Sequence, residues 1–383
     1  MCPFASGNPD VSTVHHWLRS DSGGVHRSHY PDGSPVWIVG GYDHVTRLLA
    51  DNLMSADKAD SSTGFLGQSL PPALDANLLN MDGARHRRVR RLAQSAFSAR
   101  RLPAQREVVR YTAEELAATL PNSGWIDLVE HWCEPFPARV IGRLLGLPED
   151  QLPAFQAAAR PMFRVDTSEA GAGIRDSLGQ MLMLVMAAVE GKRRSPGPDL
   201  LSDWIAARDG TDKLTEEELI SLAFATIIGG FENVTALISA VLADVLRRPR
   251  EPMLAIVGDA AELSRFVDEA IEVAAPVNYA LRRFPLADLQ VGDHSIPQGE
   301  TVVLALRSAN EDPDRNGRPD VVFGHGRHSC PGAALAATEV SESIRVLMER
   351  YTNIAIYGEP HILSFKASWA TQSLATLQVS LDN

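Results

Sequence analysis

Apolar side chains recur at i, i+3 and i+4 through most of this chain, which predicts helices over about 84–97, 104–120, 136–147, 151–164 and 174–193. Proline and glycine punctuate them, as in LPEDQLP and SPGPD, and DLLSDWIAARDG reads as a further helix closed by its glycine. The longest pattern follows. Thr215 reads as an N-cap with Glu218 three residues on, a capping box, and the apolar run continues past Gly229-Gly230 to about Arg248. At ~1.5 Å per residue that is a helix of roughly 50 Å, apolar enough to cross the middle of the fold. Helices over about 251–257 and 261–274 come next, and AALAATEVSESIRVLMER predicts one over about 331–350. The period shortens to two in SPVWIVG and between Leu281 and Leu306, where VGDHSIPQGE reads as a turn, and the last thirty residues read as short strands. YDHVTRLLAD is helical; the first forty residues otherwise read as loop, as does Ser55–Leu74. The fold class is therefore mainly α with small β regions and a long central helix. With no repeat and no long linker, one domain over 1–383 is expected, its β elements within 1–80 and 281–320 and its helices within 84–275 and 330–350.

Composition narrows the class. Hydrophobic residues make up 45% and charged residues 22%, ordinary for a globular protein. The three cysteines, Cys2, Cys133 and Cys330, are scattered, which suits a reducing cytoplasm better than a disulfide scaffold. MCPFASGNPD carries no apolar signal region, and no run of ~18 uninterrupted apolar residues predicts a membrane span. The net charge of −12 argues against nucleic acid as a partner, yet Arg85 to Arg110 holds nine arginines and a single acid, Glu107. Such a stretch is either a solvated helix face or a site for an anionic partner or cofactor group.

The chemistry concentrates at Phe323-Gly-His-Gly-Arg-His-Ser-Cys330-Pro-Gly332. Gly324 and Gly326 permit tight turns and close backbone approach. With Pro331 in the first turn of the following helix, Cys330 falls at the N-cap, where the helix dipole favours a thiolate by about 0.3–1 kcal/mol. A thiolate is a metal ligand. The plain alternative for a free cysteine is a small buried hydrophobe.

The pattern F-G-x-G-x-H-x-C-x-G resembles the haem-binding loop of cytochromes P450, and the resemblance extends over nearly the whole chain through WIVGGYDHVTRLLAD, MDGARHRRVRRLAQSAFSARRL, PFPARVIGRLLGLPEDQ, the long helix and ANEDP. It implies the P450 fold, with haem b as cofactor and Cys330 as axial ligand on a loop framed by Phe323, Gly324 and Gly332. It places His328 at a haem propionate, and likewise His86 and Arg90, four apart on one helical face. A further propionate arginine falls at Arg283, with Arg282 adjacent and the sequence leaving open which turns inward. Gly229 and Gly230 match the family's dioxygen-approach segment, followed by the proton-relay acid Glu232. The residue after that acid, usually a hydroxyl, is here Asn233. The resemblance also implies a small, largely apolar substrate, electrons from a ferredoxin-type donor, and a cytoplasmic protein with no membrane anchor and no nucleic-acid partner. Arg85–Arg110 together with Arg327 would form the docking face for that donor. Substrate choice would rest on Ser55–Leu74, Met162–Gly173, Phe231 and the turn near Thr371.

A second departure concerns the family's Glu-x-x-Arg motif. It reads Glu269-Ala-Ile-Glu272 here, and only DRNGRPDVV separates Pro313 from Phe323, about half the usual loop. Losing one partner of a buried ion pair costs about 3–5 kcal/mol, whereas losing the whole set can be neutral. The triad is thus expected to be deleted as a unit, with at least one of the two acids solvent-facing or locally paired. The function expected is a haem-thiolate monooxygenase or oxidative tailoring enzyme. Peroxide-driven oxidation, dehydration or rearrangement on the same fold, or a non-catalytic partner protein, are the alternatives.

Overall fold

A computed structural model describes residues 4, 11–30, 32–63, 72–98, 100–159, 170–209, 214–357, 363–366 and 368–382. The helices are α1 (Val11–Ser20), α2 (Tyr42–Ala50), α3 (Pro72–Asp75), α4 (Gly83–Ala96), α5 (Leu102–Thr119), α6 (Pro135–Leu145), α7 (Leu152–Ala159), α8 (Ala170–Arg194), α9 (Leu200–Asp209), α10 (Glu216–Val245), α11 (Arg250–Val257), α12 (Ala260–Ala274), α13 (Leu306–Asn310) and α14 (Ala333–Arg350). The strands are β1 (Val25–His29), β2 (Pro35–Val39), β3 (Met54–Ser55), β4 (Gly124–Asp127), β5 (Phe284–Pro285), β6 (Leu289–Val291), β7 (His294–Ile296), β8 (Val302–Leu304), β9 (Asn353–Ile356) and β10 (Gln378–Asp382). The chain divides into two compact units. The first comprises Met1–Arg90, Ala275–Cys330 and Ala367–Gln372; the second, Arg91–Ala274, Pro331–Lys366 and Ser373–Asn383.

The first unit is built on the sheet β1-β2-β8. β1 runs antiparallel to β2, and β2 parallel to β8 with Trp37 opposite Val302 and Val39 opposite Leu304. β2 is an apolar run, V-W-I-V, because both of its faces are covered. Val36 and Ile38 pack with Phe4, Leu18 and Tyr279, while Trp37 and Val39 pack with α2 through Val45 and Leu48. Two expectations fail in this unit. The first forty residues are not mainly loop: Val14 and Leu18 bury one face of α1, a pattern diluted in the sequence by its two histidines. The predicted turn VGDHSIPQGE contains β7, which pairs with β6 around a two-residue Gly292-Asp293 loop made possible by a φ of +56° at Gly292.

The second unit is helical around α10, with the small sheet β4-β10-β9 at its edge. The capping box is present: Glu218 N–H donates to Thr215 Oγ1 at 3.1 Å, and Thr215 N–H to Glu218 Oε2 at 3.0 Å. α10 packs against α6, α8, α9, α12 and α14. Its 30 residues end at Val245, short of the expected Arg248, because the last three residues close into a turn ahead of Pro249. By length and a mean hydropathy of 1.5, α10 is the one helix among the described residues that could cross a membrane; 56% of that window is buried inside the protein.

Candidate active site

The cysteine loop closes on itself within the first unit. Gly324 N–H donates to Val321 O at 2.9 Å, Ser329 N–H to Gly326 O at 3.1 Å, and Cys330 N–H to Phe323 O at 2.8 Å. Gly324 and Gly326 take φ values of +72° and +71°, and a Cβ on Gly326 would lie 2.9 Å from Leu49 O. Glycine is required there on both counts. Cys330 is exposed at the loop's end. One expectation is corrected: α14 begins at Ala333 with Gly332 as its N-cap, so Cys330 and Pro331 precede the helix rather than opening it.

Around the loop the first unit gathers a charged cradle whose hub the sequence did not reveal. Asp82 accepts from Arg327 Nε at 2.7 Å, pairs with His328 Nε2 at 2.9 Å, and receives the Ala56 N–H. Burial alone would raise its pKa, but the bonds from His328, Ala56 and Arg327 reverse this and hold the carboxyl far below the usual range. Arg327 also donates to Asp51 O at 2.9 Å and Met54 O at 2.6 Å. These bonds tie Arg327 into the cradle, with a quarter of its side chain left exposed.

His86 lies in the same cradle, 2% exposed, its ring centroid 4.2 Å from that of His328. Burial first, and then the positive potential of His328, lower its pKa to about 4. Its Nε2 is buried without a hydrogen-bond partner among the described residues. Arg90, one turn along α4, donates to Ser329 O at 2.6 Å, next to the cysteine. The choice between the paired arginines is resolved. Arg283 faces the cluster, 3% exposed, with Asp82 and Arg327 as its neighbouring charges, and its pKa is pushed down to about 10 by burial. Arg282 turns the other way, to Asn80.

This arrangement fits an anionic cofactor. Arg90 and Arg283 form no ion pair with a described residue, and the one carboxylate among them, Asp82, is already neutralised by Arg327 and His328. Burying an uncompensated guanidinium costs several kcal/mol, so the surplus positive charge calls for an anion from outside the chain. His328 spends Nε2 on Asp82, which leaves Nδ1 alone for such a group.

In the second unit α10 carries an uncovered stripe. Ala225, Thr226, Ile228, Gly229, Glu232 and Asn233 are exposed or half-buried, whereas Phe224, Ile227, Phe231 and Val234 among them are buried. The glycine pair divides: a Cβ at Gly229 would meet nothing within 4 Å, whereas one at Gly230 would lie 3.2 Å from Ile141. Gly230 therefore serves helix packing against α6, and the open approach belongs to Gly229. Phe231 is buried beside them. Burial raises the Glu232 pKa to about 7, against the opposing pull of Lys366.

Glu269 is exposed and Glu272 half-buried, which meets the expectation for the missing triad. Among its candidate partners, Arg265 pairs with Glu262 and Arg318 with Asp43. The sequence reading also missed Glu339 on α14, 2% exposed, its Oε2 without a partner among the described residues and its pKa raised well above normal by burial. Of the expected substrate determinants, 160–169 and 64–71 lie outside the described residues, while Thr371 bridges Val277. The basic stretch is less uniform than its composition: Arg101 pairs with Asp203, and Arg110 with Glu107 and Glu114. Its exposed arginines are Arg85, Arg87 and Arg91 on α4, and Arg100, Arg106 and Arg110 beyond it.

No family model matches the chain. It is 32% identical over 358 residues to the cytochrome P450 monooxygenase PikC of Streptomyces venezuelae, covering 90% of this chain and 84% of that protein. It is 30% identical over 375 residues to the 6-deoxyerythronolide B hydroxylase of Saccharopolyspora erythraea, covering 91% of each. Among solved structures, the tirandamycin C-bound P450 monooxygenase TamI superposes with a TM-score of 0.83 at 30% identity over 94% of both chains. The bacillaene polyketide synthase cytochrome P450 PksS of Bacillus subtilis 168 gives 0.86 at 25% identity, covering 98% of this chain and 97% of that one.

Proposed function

The chain belongs to the cytochrome P450 superfamily, and on that premise we propose that it is a haem b monooxygenase in which Cys330 is the axial thiolate and His86, Arg90 and Arg283 hold the propionates. The observation that carries this reading is the surplus of buried positive charge beside the cysteine loop, with His86 Nε2 unsatisfied among the described residues. When bound, the haem supplies dioxygen activation. The chain's own residues do the rest. Asp82 fixes Arg327 and His328, and through them the loop that presents Cys330. Arg90 ties α4 to the carbonyl just before that cysteine. Glu232, with a pKa about 7, holds or yields a proton near neutrality at the uncovered stripe. Asn233 orients water or substrate by its amide but has no hydroxyl through which to pass a proton.

The substrate class follows from the stripe and from the relatives. Apart from Glu232, Asn233 and Thr226, whose hydroxyl donates to Leu222 O at 2.8 Å, the stripe is apolar, which suits a largely apolar molecule with a few polar handles. The relatives' names include a 6-deoxyerythronolide B hydroxylase and a polyketide biosynthesis P450, so a polyketide is the class proposed. The electron donor is an acidic ferredoxin docking on the arginines of α4, in the cytoplasm. The test is haem retention. His86→Leu and Arg283→Met in the purified protein should each lower haem affinity at least tenfold in a transfer assay to an apo-globin acceptor. Retention equal to wild type in both would overturn the assignment of the cradle.

A further inference from the structure

Several elements of the first unit meet at Asn278, a buried residue to which the proposed reaction assigns no role. Its backbone N–H donates to Ala370 O at 2.9 Å, and its side-chain Nδ2 to Trp369 O at 2.9 Å. Its carbonyl accepts the Arg307 N–H of α13 at 3.4 Å. The bond to Trp369 fixes which way the amide points, and Oδ1 therefore meets His15 Nε2 of α1 at 3.3 Å. An acceptor there requires the tautomer with its proton on Nε2. Nδ1 agrees: it is buried without a partner among the described residues, and a bare lone pair is left so at less cost than an N–H. His15 is 1% exposed, and burial lowers its pKa to about 4, so the ring stays neutral. Ser308 Oγ of α13 holds the His15 carbonyl at 2.9 Å. Two segments of chain converge on this anchor. Gln372 N–H donates to Pro276 O at 2.7 Å, and Thr371 bridges Val277. The first segment continues through Ala280, whose N–H donates to Leu304 O at 2.8 Å, to Arg283, the arginine turned to the cradle. Along it Val277 and Ala280 are half-buried and Leu281 is exposed, while Asn278 and Tyr279 are buried. The polar anchor is thus sunk in the unit, and apolar side chains stay uncovered a few residues from the cofactor arginine.

We propose that Asn278, held from behind by His15, is a positioning residue that fixes the 276–281 segment and the turn at 369–372 as one wall of the substrate site. One residue captures two successive carbonyls of the turn, Trp369 O and Ala370 O, and so sets its direction as well as its distance. Without the amide, Trp369 O loses its donor and the His15 Nε2–H is stranded in the core, a cost that the two segments relieve by moving apart. Val277 and Ala280 move with them, and these are the side chains left uncovered. A ligand too small to reach the wall is indifferent to that movement, whereas a bulky one is not. The inference rests on the proposed function for the use made of the wall, whereas the anchoring itself rests on the hydrogen bonds.

The experiment is an optical titration of the ferric holoprotein with imidazole, which needs little beyond the iron, and with clotrimazole, whose trityl group needs the surrounding wall. Asn278→Ala should weaken clotrimazole about fivefold or more relative to imidazole, the scale of a lost hydrogen bond with its partner stranded. His15→Phe should act in the same direction, and His15→Gln, which keeps an N–H donor, should restore the wild-type ratio. A merely structural Asn278 would lower the unfolding temperature and leave the ratio of the two affinities unchanged, and that result overturns the inference. Should Asn278→Ala fail to fold, Asn278→Asp decides: it keeps the acceptor for His15 but loses the donor to Trp369 O, and an unchanged ratio does the same. Hydrogen exchange over 369–372, followed by mass spectrometry on the same samples without azole, should quicken in the variants that lose the amide. Unchanged exchange overturns the anchoring, whereas a wild-type Soret band that neither azole shifts counts against the proposed function alone.

Discussion

Asp82 in the first unit and Glu232 in the second are both acids withdrawn from water, and their surroundings drive them in opposite directions. Asp82 is ringed by Arg327, His328 and the Ala56 N–H, which keep it ionised. Glu232 has burial on one side and a single lysine, already paired elsewhere, on the other, and its pKa rises to about 7. The first is an anchor that must not titrate; the second is placed to titrate in the working range.

Breaking the anchor should have the largest effect. Asp82→Asn leaves Arg327 and His328 without their carboxylate, and we expect a loss of about 3 kcal/mol in denaturant unfolding, the low end for a broken buried pair because Arg327 keeps a quarter of its side chain exposed. A loss below about 1 kcal/mol would make Asp82 an ordinary surface acid. Its contribution should also vanish as pH falls below the ordinary aspartate range, since a depressed pKa gives stability that protonation removes.

Glu232 should show the opposite sign. It loses its proton near 4.5 when unfolded and about 7 when folded, so the folded state binds more protons between those values and stability falls as pH rises through them. Glu232→Gln removes this dependence. Its stability relative to wild type should rise between pH 4.5 and 7, by at most about 3 kcal/mol. A difference that is flat with pH would mean that Glu232 titrates as a solvated acid.

The smallest effect expected separates the adjacent glycines. Gly229→Ala fills open space and should gain up to ~1 kcal/mol of helix propensity. Gly230→Ala gains the same propensity but crowds Ile141, so the two variants should differ by about 1 kcal/mol in unfolding. Equal effects would mean that both positions face the same surroundings.

What the sequence revealed follows the range of each interaction. Cys330, its glycines and the His86–Arg90 pair sit in short patterns, where the spacing itself carries the chemistry. The capping box of α10 spans four residues and was legible for the same reason. Asp82 was not, because its partners lie 245 and 246 residues away and no local pattern marks an acid before a helix as their hub. Lys366 and Glu134 are 232 residues apart, and their pairing follows only from the fold. The inward turn of Arg283 over Arg282 depended on strand register, which two adjacent arginines cannot specify. The different roles of Gly229 and Gly230 came from what packs on α10, again beyond the reach of the local pattern.

The central claim is that Cys330 is a haem thiolate ligand, and the most direct measurement is the difference spectrum of the dithionite-reduced protein with carbon monoxide. The account predicts the red-shifted Soret band of thiolate ligation in wild type and its loss in Cys330→Ala. A band at the unshifted position of a neutral or histidine-ligated haem in folded wild-type protein would contradict it.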